Sequence, residues 1–183
     1  KLNKYILKRS LKRLLFYYKK NFFVNNYKEV RESMVVKIKT ATFTGIEGIP
    51  INVEVDINRG LPHFNIVGMA DTSIKESKDR VRSAIINSGF EFPLGRITVN
   101  LSPADIKKEG ALFDLPIAIG ILCATKQIKV EDIKEYVFLG ELSLVGELKK
   151  VKGALPIVVS CIKNEINNYI IPIENKDECS MIG

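Results

Sequence analysis

The 183-residue sequence has no tryptophan, one histidine and three cysteines, and each scarcity removes a class of chemistry. A single histidine, His63, cannot build a histidine-based metal site and leaves little basis for a Ser–His or Cys–His pair. Between Pro62 and Phe64 it reads as a strand-edge residue. Cys123, Cys161 and Cys179 are odd in number, far apart and without a CxxC pattern. They read as reduced, packed thiols of a cytoplasmic protein rather than a disulfide framework. Neither G-x-x-x-x-G-K-[ST] nor G-x-G-x-x-G occurs, so the chain carries no P-loop and no dinucleotide fingerprint. The apolar run Leu115 to Ala124 falls well short of the roughly 20 residues a bilayer span needs, so no transmembrane helix and no membrane partner is expected.

The body of the chain also lacks net charge. The formal charge of +7 suggests an acidic partner such as nucleic acid until it is mapped. Residues 1–33 hold ten Lys/Arg and two Glu, whereas the remainder holds eighteen Lys/Arg and nineteen Asp/Glu. The excess is therefore confined to a basic leader, and the overall pI is no argument that the body binds DNA. The leader mixes its charges with Leu, Phe and Tyr, as a basic amphipathic surface helix would, and has no secretory cleavage site. Met34 is the first methionine, and a regular strand pattern starts directly after it. Lys28-Glu29-Val30 can be encoded as a ribosome-binding sequence a short distance upstream. Translation is therefore expected to begin at Met34, with residues 1–33 lying upstream and 34–183 forming one domain.

Within 34–183 the pattern resolves into elements. Val35 to Thr44 and Ile51 to Ile57 alternate with period two and read as strands, joined by a turn over Gly45 to Pro50. His63 to Val67 is a third strand. Asp71 to Ser88 is helical, capped by Asp71 or Thr72 and closed by Gly89, with Ile74, Val81 and Ile85 as its apolar stripe. Ile97 to Leu101 is a strand. After the loop 102–112, Phe113 to Ala124 reads as a buried helix. Glu131 to Glu135 suggests a short helix, and Tyr136 to Val145 with Glu147 to Val151 a second hairpin. Gly153 to Glu165 reads as a helix buried through Leu155, Val158, Val159 and Ile162, followed by a strand over Tyr169 to Ile173 and a helix from Glu174. Hairpins first and strand–helix units later point to an α+β, two-layer fold, a mixed sheet with helices packed on it.

Few residues suggest chemistry. Lys75, Lys78 and Arg82 form a basic stripe that could meet phosphate, although Asp71–Lys75, Lys75–Asp79 and Glu76–Arg80 are i,i+4 pairs that neutralise much of that face. The loop Asp105 to Gly110 adds Lys107 and Lys108. Asp114 reads as the N-cap of the buried helix, where it would repel an anion. Asp105 and Glu109 are a carboxylate pair on which nothing else converges, so no metal site is assigned.

The strings ITVNLSPADIKKEG and FDLPIAIGIL, with GLPHFNIVGMAD, IKESKDRVRSAIINSGFEFP, FLGELSLVGELKKVKGALPI and IIPIEN, closely resemble the N-terminal domain of the magnesium-chelatase-like, ComM-type AAA+ ATPase family over roughly 34–183. The resemblance implies a fold similar to the second domain of ribosomal protein S5, shared with the Lon protease catalytic domain and the C-terminal domain of the repair protein RadA. It implies a parent protein in which this domain precedes an AAA+ module that binds ATP and Mg, assembles as a homo-oligomer (a hexamer) and migrates DNA branches during recombination and transformation. This chain lacks that module, and with it any cofactor, and looks like an N-terminal fragment. The Lon relation further implies that the nucleophile position falls at Leu112 and the partner lysine position near Leu155. Leucine can neither attack a carbonyl nor accept a proton. The sequence is therefore read as a non-catalytic domain of a DNA motor, with Lys75, Lys78, Arg82, Lys107 and Lys108 as candidate DNA or partner contacts. Two alternatives are a Lon-like peptidase with a displaced nucleophile, for which Ser102 and Lys107 are the nearby residues, and a basic membrane-surface protein acting through residues 1–33.

Overall fold

Period-two alternation of β-branched residues builds the centre of the molecule. A computed structural model describes residues 5–8, 10–14, 35–166 and 168–180. Strands β2 (Val36–Thr44) and β3 (Glu47–Asn58) form an antiparallel hairpin with Val36 opposite Val55 and Thr44 opposite Glu47. Ile38, Ile51, Val53 and Val55 bury one face, while Lys37 and Glu54 pair across the other at 3.3 Å. The turn is only Gly45-Ile46, with Gly45 at φ +59°, tighter than the six-residue turn the sequence suggests. Pro50 therefore lies within β3, just beyond Asn52, where pairing with the next strand begins. There its missing N–H breaks no ladder on that side.

Strands β4 (His63–Val67) and β5 (Arg96–Ser102) extend the sheet, β5 antiparallel to β3 and β4 parallel to β5. Helix α1 (Thr72–Asn87) connects them. Asp71 is its N-cap, accepting from the Ile74 N–H at 2.8 Å, and Ile74, Val81 and Ile85 are its buried stripe, as the spacing predicts. Helix α2 (Asp114–Ala124), entered through a 3₁₀ turn at Ala111–Phe113, is apolar all round and buried on every side. It sits on β2 and β3. At Gly120 a Cβ would lie 2.6 Å from Val55 Cγ2, so glycine sets how closely helix and sheet approach.

The second half departs from its sequence pattern. Tyr136 to Val145 is two short strands, β6 (Val137–Phe138) in the main sheet and β7 (Glu141–Leu142) outside it. Between them Gly140 turns its backbone to the start of α2, donating to the Leu112 carbonyl and accepting from the Leu115 N–H, both at 3.0 Å. Strand β8 (Leu148–Lys149) closes the small hairpin with β7. The short helix expected over Glu131 to Glu135 is a 3₁₀ turn at Val130–Asp132. In α3 (Ala154–Lys163) the buried residues are Ala154, Ile157, Val158 and Cys161, with Leu155, Val159 and Ile162 half-buried at the flanks. Only Ser160 and Lys163 are polar in this helix, and the broad apolar arc that remains conceals which part of it meets the sheet. Strand β9 (Tyr169–Pro172) pairs in parallel with β6, and a short α4 (Lys176–Cys179) follows. The body thus forms a mixed sheet in the order β9-β6-β2-β3-β5-β4. β1 (Tyr5–Lys8), from the basic leader, is a seventh strand on the β9 edge. The leader over 15–34 lies outside the described residues.

Asp114 is not a cap. The residue flanking α2 at its N-terminus is Phe113, without a side-chain cap, and the Asp114 carboxylate is fully buried. Its Oδ2 accepts from Arg80 Nε at 2.7 Å and from the Leu142 N–H at 3.1 Å. Its Oδ1 accepts from the Ser77 hydroxyl and from Arg80 Nη2. Arg80 is thus drawn inward to Asp114, and its ion pair is there rather than with Glu76. Burial raises the Asp114 pKa, against the downward pull of Arg80, Ser77 and the Leu142 amide. One carboxylate so ties α1, α2 and β7 together.

Breaking a buried pair by removing one partner costs about 3–5 kcal/mol, because the remaining charge is left unpaired. Asp114→Ala is expected to lose stability in that range in denaturant titrations. Arg80→Met/Asp114→Leu should recover most of it. A loss of under about 1 kcal/mol in the single variant, the size of a surface pair, would show that the carboxylate is not a structural tie.

Candidate functional site

The loop after β5, the end of the β2–β3 hairpin and the link from β8 to α3 enclose a cleft of about 760 Å³. Thr42, Phe43, Thr44 and Gly45 form one wall, and Lys107, Glu109, Gly110, Ala111 and Leu112 a second. Asp71, Glu141 and Lys150 to Lys152 complete it. Leu112, only 3% exposed, therefore stands in this cleft at the position where the Lon relation puts a nucleophile. Leu155 lies half-buried in α3 and Ser102 half-buried at the end of β5, and neither is part of the lining. Among the described contacts, no hydroxyl of the cleft bonds to a lysine.

Asp71 organises the loop wall. Besides capping α1, its Oδ2 accepts from the Gly110 N–H at 3.1 Å, and its own N–H donates to the Lys108 carbonyl at 3.2 Å. Lys107 points outward and pairs with Glu109 at 2.5 Å. That hydrogen bond, helped by Glu109's charge and Asp71, raises the Lys107 pKa. Lys108 turns the opposite way. It is fully buried, and its ammonium donates to the Pro103 carbonyl. Burial lowers its pKa, with Asp105 acting in opposition. A partner at this loop meets Lys107 and not Lys108.

The other sequence candidates lie apart from the cleft lining. Lys75 is exposed and Lys78 half-buried on α1. The Arg82 guanidinium stacks over Phe92 at 5.3 Å from the ring centroid. The residues that sequence reasoning missed are Lys150, Lys152 and Asn175. The lysines belong to the run Lys149-Lys150-Val151-Lys152, a visible cluster in a loop. Lys149 is held by Glu147 at 2.7 Å, while among the described residues neither Lys150 nor Lys152 has a carboxylate within ion-pair distance. Asn175, buried in the last 3₁₀ turn, accepts from the Val151 N–H at 3.1 Å and donates to the Val151 carbonyl at 2.8 Å. It acts as a one-residue strand that fixes the linker carrying both lysines. A lone asparagine offers no sequence signal for that role.

Two expectations follow from this geometry. Gly153 has φ +79°, and a Cβ there would overlap the Phe43 ring. Gly153→Ala should lower stability by about 2 kcal/mol or more through backbone strain and overpacking, read as a depressed Tm. For Lys108, between its lowered folded pKa and an unfolded value of about 10.4, the unfolded chain binds more protons than the folded one. Stability rises with pH through that window, and the cost of burying the charge is in full force below it. The stability of wild type relative to Lys108→Met should therefore climb as pH rises through the window between that lowered pKa and about 10.4, by at most about 1.4 kcal/mol per pH unit. A flat difference in denaturant titrations would mean that the ammonium is solvated.

Comparison with known proteins places the chain in a family. The family model described as subunit ChlI of Mg-chelatase matches residues 53–175. An uncharacterised Escherichia coli protein, YifB, is 46% identical over 146 residues, 80% of this chain and 29% of its own. Competence protein ComM of Haemophilus influenzae is 43% identical over 139 residues, 76% of this chain and 27% of its own. An uncharacterised protein of Mycobacterium bovis is 36% identical over 138 residues, 75% of this chain and 27% of its own. The chain spans less than a third of the length of these relatives. Among the described residues no helix is long and apolar enough to cross a membrane. With the match covering most of the sheet and the whole of α1, α2 and α3, the chain belongs to the ChlI-like, Mg-chelatase-related family and represents the N-terminal region of its ComM-like members.

Proposed function

We propose that this chain is the non-catalytic N-terminal domain of a ComM-like ATPase that processes DNA, and that its cleft contacts the nucleic acid or another part of the motor. The reading is carried by Leu112, which stands in the cleft where the resemblance to Lon puts a nucleophile. A Lon-like peptidase needs a hydroxyl there and a base beside it. In their place the cleft offers Lys150 and Lys152, held on a fixed linker, beside Lys107. Lysines of this kind meet phosphates as point charges. ATP hydrolysis, its Mg ion and the assembly into a homo-oligomer are assigned to an AAA+ module of the parent protein, and the link to DNA rests on the kinship with a protein named for competence.

The reading is tested with the full chain. It should hydrolyse neither peptides nor ATP, and it should bind DNA with an affinity that falls as salt rises. Charge reversal at Lys107, Lys150 and Lys152 together should weaken binding by about tenfold or more. The slope of log affinity against log salt should fall by about 0.9 for each phosphate that is no longer neutralised. Equal binding by the triple variant removes the cleft from DNA contact. Peptide hydrolysis abolished by Ser102→Ala would replace the reading with that of a peptidase.

A further inference from the structure

Residues 5–8 and 10–14 lie before the family match, which begins at residue 53, and line no part of the cleft. They are nevertheless seated on the body at two places. The first is the edge of the main sheet, where β1 pairs in parallel with β9, Tyr5 opposite Tyr169 and Lys8 opposite Pro172. On its other side, β9 accepts from the Val137 N–H through the Asn168 carbonyl and from the Leu139 N–H through the Ile170 carbonyl, both at 3.0 Å. Backbone groups alternate sides along a strand. Ile170 therefore serves β6, and Tyr169 and Ile171 turn their groups toward β1.

The second place is the turn between β7 and β8. Ser10 bridges antiparallel to Glu147, and the Leu11 N–H donates to the Gly146 carbonyl at 2.8 Å. Ser10 caps the helical turn over 11–14 by accepting from the Arg13 N–H at 3.3 Å. Leu11 and Leu14 are fully buried. Leu11 packs beside this turn, since a Cβ at Gly146 would overlap the Ser88 hydroxyl and lie in ordinary contact with Leu11 Cβ at 3.8 Å.

If this segment were lifted away, β9 would become the edge of the main sheet. It would present the backbone groups that now face β1 beside the notch vacated by two leucines. The strand Tyr169-Ile170-Ile171-Pro172 contains no charged residue. Charge is one of the devices that keep exposed edges from pairing, and this edge carries none, so two such edges meet without repulsion. A second copy related by a two-fold axis brings β9 against β9 antiparallel, a self-complementary and closed arrangement. We propose that residues 5–14 are an intramolecular edge cap, and that their release lets the chain dimerise through β9. A product starting at Met34 would be the dimerising form.

The test uses the full chain, by amide hydrogen exchange and by light scattering over a range of concentrations. Wild type should be monomeric, with slow exchange at Tyr169 and Ile171. Leu11→Asp/Leu14→Asp should keep Ile170 protected, since that amide belongs to β6, while releasing Tyr169 and Ile171 at low concentration. At high concentration it should dimerise and protect both again. Ile6→Pro, which removes an N–H from the middle of β1 and spares the leucine notch, should behave in the same direction. Fast exchange at Tyr169 and Ile171 in wild type would overturn the cap. So would variants that release those amides and stay monomeric. Loss of Ile170 protection in both variants would overturn it as well, by making the segment part of the core.

Discussion

The buried carboxylate of Asp114 is the constraint on which the arrangement of the other elements depends. An ionised group out of water requires partners on all sides. The chain supplies them from three distant stretches: Ser77 and Arg80 from α1, the Leu142 amide from β7, and Asp114 itself from the first turn of α2. Wherever α2 lies on the sheet, these elements must follow. This explains why β7 leaves the main sheet, with Gly140 bonded to Leu112 and Leu115 at the start of α2. The Leu112 wall of the cleft is set by the same junction.

The cleft itself is made of links rather than of elements. Asp71 ties the loop after β5 to the cap of α1, and Asn175 ties the β8–α3 linker to the last turn of the chain. Each does so with a side chain that replaces backbone pairing. The result is a concave surface bearing three lysines and three acidic residues, of which Lys107 and Glu109 neutralise each other. Lys108, adjacent in sequence to Lys107, is sealed in the interior. Its burial shows how little a charge run in a sequence says about the surface of a loop, where successive side chains diverge.

Reading the sequence served well where one face of an element is apolar. β2, β5 and α1 emerge with nearly the boundaries their periodicity suggests, because one face packs and the other is wetted, whereas β3 begins four residues before its alternation suggests. It served less well where the apolar arc of an element is broad. In α3 the buried face runs through Ile157, Val158 and Cys161 rather than through Leu155, Val158, Val159 and Ile162, and nothing local distinguishes the two stripes. The continuous run from Tyr136 to Val145 conceals the break at Gly140 for a similar reason: the partner that bends it, α2, is remote in sequence. Of the candidate contacts, Lys107 reaches the cleft, while Lys150 and Lys152 come to it only through a linker that Asn175 holds from 24 residues further along the chain.

The sequence by itself determined the strands and helices of the central layer and the kinship with ComM-like proteins. These depend on local periodicity or on residue identity at aligned positions, and neither requires knowing what packs against what. Only the tertiary structure decided that Asp114 is a buried tie rather than a cap, that Lys108 is inside, and that β1 closes the β9 edge. Each of these turns on a partner tens of residues away, and burial and hydrogen-bond satisfaction are properties of the assembled surface around a group, not of its neighbours in the chain.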